Sequence, residues 1–345
     1  MTNAQLSFDS RQVMRNLSAD LPERSRQIIK KRFGLDSKES MTLEAIGKIY
    51  NITRERVRQI EEVALQAIKK SSAFGLTAPI FEELKVLMEG YGGVVHEQEF
   101  LDHITSDQII QNNIHLLLVL SDVFVKLRED DSFHHRWTVD QKLAGLVHQS
   151  IKNLAKGLSA DDLFSEKEMF TAFFNNLAEG IRMEHAKENV QRWLKLSKEI
   201  GLGPTGEWGL SSSPNVRVRG IRDYAYLILR RHGSPLHFSE VAKAISDSFG
   251  VKANAATTHN ELIKDNRFVL VGRGIYALAE WGYRRGTVRD VITHLLKTHG
   301  QLTKDEVMAK VLKERYVKES TILVNLKDHK FFKLNKDGKY VLQSR

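Results

Sequence analysis

Beyond residue 75 the chain repeats one pattern of apolar spacing about every 65–70 residues, and this recurrence limits its fold more than any other feature. Each unit opens with apolar residues at helical spacing, over Phe81 to Tyr91, Leu143 to Leu154, Ile221 to His232 and Val288 to His299. In the first, third and fourth units a glycine turn then leads into a second helix. Those turns read Gly93-Val94-Val95-His96-Glu97, Gly233-Ser234-Pro235-Leu236-His237-Phe238 and Gly300-Gln301-Leu302-Thr303. The second unit offers Leu163-Phe164-Ser165-Glu166-Lys167-Glu168 at the same place. Each unit closes on two short strands around a polar turn: Phe124 to Leu127 with Trp137 to Val139, and Ile200 to Leu202 with Trp208 to Leu210. The last two are Phe268 to Val271 with Tyr276 to Leu278, and Phe331 to Leu334 with Tyr340 to Leu342. An aromatic recurs at each final strand: Trp137, Trp208, Tyr276, Tyr340.

Three helices and a β-hairpin make a winged helix. The expected fold class is therefore mainly α, an N-terminal helix-turn-helix followed by tandem winged-helix (α+β) modules. The boundaries fall at 1–20 for an N-terminal arm and 21–72 for the helix-turn-helix. The four modules take 78–140, 141–212, 217–283 and 285–345. A chain of 345 residues exceeds what a single core usually holds, so several domains are expected.

The helix-turn-helix is read from its punctuation. Pro22 sits where a first helical turn needs no amide donor, Ile28, Ile29 and Phe33 form an apolar stripe, and Gly34 stops the helix. A second helix from Thr42 to Tyr50 is expected to bury Leu43, Ile46 and Ile49, with Gly47 allowing a close crossing. Asn51 tolerates a left-handed turn, and Thr53 caps the third helix. On that helix Val57, Ile60, Ala64 and Ile68 share one side, while Glu55, Arg58, Gln59 and Glu62 share the other. Arg54 and Arg56 flank the outer face, where phosphates would lie. Arginine grips guanine, glutamine pairs with adenine and glutamate accepts from cytosine, so Thr53, Arg54, Glu55, Arg56, Arg58, Gln59 and Glu62 are the candidate DNA-binding residues. The plain alternative is a solvated helix laced with Arg–Glu pairs.

Charge divides the chain into three. Residues 21–70 carry 12 Lys/Arg against 7 Asp/Glu, residues 71–216 carry 13 against 21, and residues 217–345 carry 25 against 13. A net charge of +9 favours an acidic partner, double-stranded DNA first. The acidic middle suits a spacer or protein contact. Lys327, Lys330, Lys333, Lys336 and Lys339 surround the last hairpin, with Arg284 and Arg285 before that module; all seven are candidate phosphate contacts. Without cysteine, disulfides, thiolate metal sites and cysteine nucleophiles are excluded. No apolar run reaches a membrane span, Ile114 to Leu120 being short enough for a core, and Met1-Thr2-Asn3-Ala4-Gln5 lacks a signal-peptide pattern. A cytoplasmic, nucleoid-associated protein without cofactor, metal or membrane contact is expected.

Residues 21–70 resemble region four of sigma-70-type bacterial sigma factors, the part that recognises the minus-35 promoter element. The resemblance rests on Arg32-Phe33-Gly34, on Thr42-Leu43-Glu44-Ala45-Ile46-Gly47, and above all on Thr53-Arg54-Glu55-Arg56-Val57-Arg58-Gln59-Ile60-Glu61. It implies that Arg54, Glu55, Arg56, Arg58 and Gln59 stand where the family contacts promoter bases and backbone, and it makes RNA polymerase core an expected partner. Region four normally closes a sigma factor but here stands at the front, so independent initiation is not expected. Residues 219–282 resemble a HARE-type winged helix, as in the delta subunit of some bacterial RNA polymerases. That resemblance rests on Ala225-Tyr226-Leu227-Ile228-Leu229, Pro235-Leu236-His237-Phe238, Ala242-Lys243-Ala244-Ile245 and Gly272-Arg273-Gly274-Ile275-Tyr276-Ala277-Leu278.

Other signals are set aside. Gly201-Leu202-Gly203-Pro204-Thr205-Gly206 fits the dinucleotide pattern but lies in a hairpin, not between strand and helix. His134-His135 lack metal-ligand spacing, His96, His237 and His259 read as capping or surface residues, and Asp130-Asp131 and Asp161-Asp162 read as turns or helix starts. No nucleophile–base pair stands out, so an enzyme is not expected. The expected function is a sequence-specific, promoter-binding transcription factor that works with RNA polymerase. The alternatives are a polymerase-associated adaptor like the delta subunit, or a DNA-targeting subunit of a restriction or modification system.

Overall fold

Asp9 caps the first described helix by accepting hydrogen bonds from the backbone amides of Arg11 and Gln12. The computed structural model describes residues 6–343; the pentapeptide Met1-Thr2-Asn3-Ala4-Gln5 lies outside the described residues. Helix dominates, and the strands form only small antiparallel sheets. Among the described residues no helix is long and apolar enough to cross a membrane.

The arm expected at 1–20 contains α1 (Ser10–Leu17). Next come α2 (Glu23–Phe33), α3 (Leu43–Tyr50), α4 (Arg54–Lys70) and the single turn α5 (Ser72–Gly75). Gly34, at φ 67°, ends α2 in the left-handed region. Ile28, Ile46 and Val57, one from each of α2, α3 and α4, form a small core. Ile49 corrects an expectation: it is 52% exposed. The inward stripe of α3 runs Leu43–Ile46–Gly47–Tyr50, and Ile49 falls about 100° away from its centre.

After this head three helices and a two-stranded hairpin recur four times, with an additional short strand after the first helix in the first and third sets. First come α6 (Ala78–Gly90), β1 (Val94–His96), α7 (Glu97–Ile104), α8 (Gln108–Leu120), β2 (Val125–Leu127) and β3 (Arg136–Thr138). The second set is α9 (Gln141–Gly157), α10 (Glu166–Asn175), α11 (Met183–Leu194), β4 (Ile200–Leu202) and β5 (Trp208–Leu210). The third is α12 (Ile221–His232), β6 (Leu236–His237), α13 (Phe238–Phe249), α14 (Ala255–Lys264), β7 (Phe268–Gly272) and β8 (Ile275–Leu278). The fourth is α15 (Val288–His299), α16 (Lys304–Glu314), α17 (Glu319–Leu326), β9 (Phe332–Leu334) and β10 (Tyr340–Leu342).

The recurring aromatic has one structural job throughout. Trp137 pairs with Val95, Trp208 with Phe164, Tyr276 with Leu236 and Tyr340 with Leu302. Each time, the last strand of the hairpin is bridged to the short extended segment between the first two helices. Trp137, Trp208 and Tyr276 are buried, which explains why a large side chain is used there.

Two compact units result, one of residues 1–201 with 208–211 and one of 202–207 with 212–345. In the first, the head and the first repeat share a core: Met14, Ile29, Phe33 and Ile68 cluster with Leu84, Phe100, Leu117 and Trp137. The Ile114–Leu120 run lies in this core, with its five isoleucine and leucine side chains almost fully buried. In the second unit, the third and fourth repeats meet where Tyr316 donates its amide to the Val271 carbonyl at 2.7 Å. Arg315, 3% exposed, donates there to the Arg284 and Gly286 carbonyls.

Candidate nucleic-acid interface

The geometry of α4 is fixed by the turn before it. Asn51 takes φ 52°, the one non-glycine residue in the left-handed region among those described. A Cβ on Gly47 would lie 2.6 Å from the Ile52 carbonyl oxygen, so glycine lets the turn fold back on α3. Thr53 then caps α4, its hydroxyl accepting from the Arg56 amide at 3.1 Å. Val57, Ala64 and Ile68 are buried and Ile60 half-buried. This leaves Arg54, Glu55, Arg56, Arg58, Gln59 and Glu62 exposed.

On this face the side chains are already organised. Arg58 donates to Glu55 through Nε at 3.0 Å and Nη2 at 2.8 Å, and to Glu62 through Nη1 at 3.1 Å. The hydrogen bond from Arg58 holds the Glu55 carboxyl below its ordinary range, and the same bond raises the guanidinium. Arg56 donates to the Gln59 side-chain oxygen at 3.1 Å. Arg54 has no such partner among the described residues. The face can therefore offer one free and two exchangeable guanidinium groups, with an amide and two carboxylates between them.

Glu61, which closes the sequence motif, plays a different part. It is turned towards α2, where Arg32 stands 3.5 Å away, and burial raises its carboxyl pKa despite that neighbour. Arg32 also donates to the Met41 carbonyl at 3.2 Å. The sequence reading did not recognise this brace, which ties α2 to α4 and to the loop before α3, although Glu61 sits four residues after Val57 on the inward side.

The second candidate surface is the last hairpin. Lys327, Lys330, Lys333, Lys336 and Lys339 are all exposed, with no ion pair among the described residues. Asn335 shapes the turn, accepting from the amides of Asp337 and Lys339. Arg284 and Arg285 are placed differently, at the junction before this repeat: Arg284 faces Glu314 at 3.8 Å, and Arg285 donates to the Asn266 side chain at 2.7 Å. Their side chains are engaged with the protein itself.

The signals set aside occupy structural positions. Gly203 and Gly206 turn the β4–β5 hairpin through Gly203 N to Glu207 O at 2.8 Å and Gly206 N to Gly203 O at 3.0 Å. His96 caps α7 and His237 caps α13, while His259 stacks on Phe238 at 4.4 Å between ring centres. His135 accepts from the Glu129 amide at 3.1 Å. Asp130 pairs with buried Arg136 at 2.9 Å, and Asp162 accepts from the Ser159 amide in a turn. Among the described residues no cluster of three or more His, Asp or Glu side chains could hold a metal ion.

Comparison with known proteins adds a family to this geometry. Residues 19–70 match the family model described as Sigma-70, region 4. The RNA polymerase sigma factor SigA of Microcystis aeruginosa is 44% identical over 59 residues, 17% of this chain and 14% of that protein. Its namesake in Synechocystis gives the same identity and coverage, and one from Bacillus sp. is 46% identical over 52 residues, 15% of this chain and 14% of the relative. The match thus spans about a seventh of these relatives' length. Residues 19–70 are a sigma-70 region 4 domain.

Proposed function

We propose that this chain is a sequence-specific DNA-binding transcription factor acting at promoters together with RNA polymerase. The observation that carries the proposal is the outer face of α4, exposed and lined with arginine, glutamine and glutamate side chains on a sigma-70 region 4 domain. In this reading α4 enters the major groove of a minus-35-like element. Arg58, Gln59, Glu55 and Glu62 face base edges, Arg54 and Arg56 meet phosphates, and Thr53 holds the helix start. The similar proteins are named RNA polymerase sigma factors, which supports the polymerase as partner.

The four repeats are read as tandem winged helices at 78–140, 141–212, 217–283 and 285–345, the third of HARE type. Residues 71–216, with 13 Lys/Arg against 21 Asp/Glu, repel phosphate and are assigned to protein contacts. The lysine-lined last hairpin is assigned to the DNA backbone, while Arg284 and Arg285 would reach phosphate only by leaving their present partners.

Fluorescence anisotropy of the full chain on a minus-35-like duplex and on its scrambled counterpart tests the reading. Salt-sensitive binding that favours the minus-35-like duplex is expected. Equal affinity for the two would overturn it, and co-purification of polymerase with no duplex binding would point instead to a polymerase adaptor.

A further inference from the structure

The two halves of α4 rest on supports of unequal size. Its C-terminal half places Ala64 and Ile68 in the large core shared with the first repeat. Its N-terminal half carries the exposed arginine, glutamine and glutamate face, and beneath that face Val57 and Ile60 rest on the small core with Ile28 and Ile46. Met41 packs against the same small core. Because Met41 belongs to the loop of residues 34–42 between α2 and α3, the course of that loop helps to set the support under the N-terminal half of α4.

Residues 36–40 of the loop are exposed, so its course depends on how its two ends are held. At the far end Met41 donates its amide to the Lys31 carbonyl at 2.9 Å, and its own carbonyl accepts from Arg32 Nη1 at 3.2 Å. Arg32 in turn faces Glu61 of α4 at 3.5 Å. The near end is held from the first repeat. Asn112, on α8, turns its amide nitrogen towards three loop carbonyls: Gly34 at 3.0 Å, Ser37 at 3.2 Å and Lys38 at 3.5 Å. Its Oδ1 accepts from Gln108, one helical turn earlier, at 3.2 Å, which fixes the direction of the amide. Gly34 makes room for this contact. A Cβ there would lie 2.6 Å from Asn112 Nδ2, so the glycine that ends α2 also admits the side chain from α8.

We infer that Asn112 is a positioning residue for DNA recognition: by holding the α2–α3 loop from the first repeat, it fixes the support under Val57 and so the angle of the N-terminal half of α4. The inference rests on the DNA-binding reading proposed above. It gives the acidic first repeat a part in recognition that needs no contact with phosphate. The hold is already made in the free protein, so α4 is set in place before DNA arrives.

Hydrogen exchange and fluorescence anisotropy on the full chain, with Asn112→Asp and Asn112→Ala, test the inference. Asn112→Asp keeps the size of the side chain and the acceptor for Gln108 but sets a carboxylate against three carbonyl oxygens; Asn112→Ala removes the hold alone. In both variants the amides of residues 36–42 and 57–61 should exchange at least fivefold faster, while those of residues 64–70 keep their wild-type rates and the thermal midpoint changes little. Affinity for the minus-35-like duplex should fall at least fivefold, with a smaller loss on the scrambled one. Unaltered exchange over residues 57–61 would overturn the inference, as would faster exchange there with an unchanged ratio between the duplexes. Faster exchange spread evenly through residues 64–70, with a lowered midpoint, would also overturn it by making Asn112 a general support of the fold. A wild-type chain without preference for the minus-35-like duplex would overturn the promoter reading instead, and exchange over residues 57–61 would still decide whether Asn112 holds α4.

Discussion

Arg58 spends its hydrogen bonds on its own helix, and this decides how it can act on DNA. Glu55 and Glu62 lie three and four residues away, and all three side chains are at least half exposed. Ion pairs in such a setting contribute little and are screened by salt, so exchanging them for a guanine edge costs little. Arg58→Ala is therefore expected to weaken binding to the matched duplex roughly ten- to hundredfold. Binding to a scrambled duplex should change far less, and the thermal midpoint should stay where it is. Anisotropy and thermal melts on one preparation check all three; a matched affinity equal to wild type would remove Arg58 from the base-reading set. The outward placement of Arg58 was legible from helical period alone, because 100° per residue separates it from Val57 and Ala64. Its engagement by Glu55 and Glu62 was not, since that depends on rotamers. A second residue-scale prediction concerns acid. Arg136, 5% exposed, donates through Nε to His148 Nε2 at 2.8 Å, which requires a neutral imidazole. Burial first, then Arg136, lowers the His148 pKa from 6.5 to about 4, and burial similarly lowers His115 to about 4. A depressed histidine pKa means that the unfolded chain takes up the proton first as pH falls below 6.5. The stabilisation is complete above that pH and is lost progressively towards pH 4. Thermal midpoints should therefore drop between pH 7 and pH 5, and His148→Gln, which keeps an acceptor for Arg136, should flatten the drop; an unchanged slope would contradict this account.

The turn joining α3 to α4 shows how elements were read from punctuation. Asn51 and Thr53 were legible because capping and left-handed turns depend on one residue's own chemistry, and each is found in that role; Thr42, read as the first residue of α3, proves to be its cap. The extended segments between the first two helices were not recognised as strands. β1 and β6 have three and two residues, and the equivalents at Phe164 and Leu302 are single bridges, too short to show any alternation. The aromatic that pairs with each was visible as a recurrence, but its reason lay in those unseen partners. Gly47 joins the local and tertiary levels. Its close approach was legible, yet the neighbour proves to be the Ile52 carbonyl of the turn itself. Gly47→Ala places a methyl 2.6 Å from that oxygen, a backbone atom that can move only by opening the turn. A cost of roughly 1–3 kcal/mol is expected, with weaker binding to the matched duplex as α4 shifts. Asn51→Gly, which keeps the left-handed turn, should leave both properties near wild type. Denaturant titration and anisotropy on the two variants separate these outcomes, and a fully stable Gly47→Ala would show that the turn relaxes freely.

Across the molecule, charge was easier to read than packing. Counting Lys and Arg separates the acidic middle from the basic end without any structure. The shared core of Phe33, Ile68, Leu117 and Trp137 joins segments far apart in sequence, and no local pattern signals such a union. It also gives the helix-turn-helix a foundation larger than its own three-residue core of Ile28, Ile46 and Val57. The basic end can then be tested as a separate contributor. Lys327, Lys330, Lys333, Lys336 and Lys339 are exposed and form no ion pair within the described residues beyond the electrostatic influence of Lys339 on Glu306, so replacing them should cost the fold little. If they lie against phosphates, each releases counterions on binding, worth about 0.9 in the slope of log affinity against log salt. Replacing all five with alanine should reduce that slope by about 4.5 and weaken matched and scrambled duplexes alike, because phosphate contacts carry no sequence information. Arg58→Ala should do the opposite, collapsing the ratio between the duplexes with only a small change in slope. Anisotropy titrations at four or five salt concentrations on both variants distinguish the two signatures. An unaltered slope in the five-lysine variant would make the hairpin a solvated surface and leave α4 as the sole proposed contact with DNA.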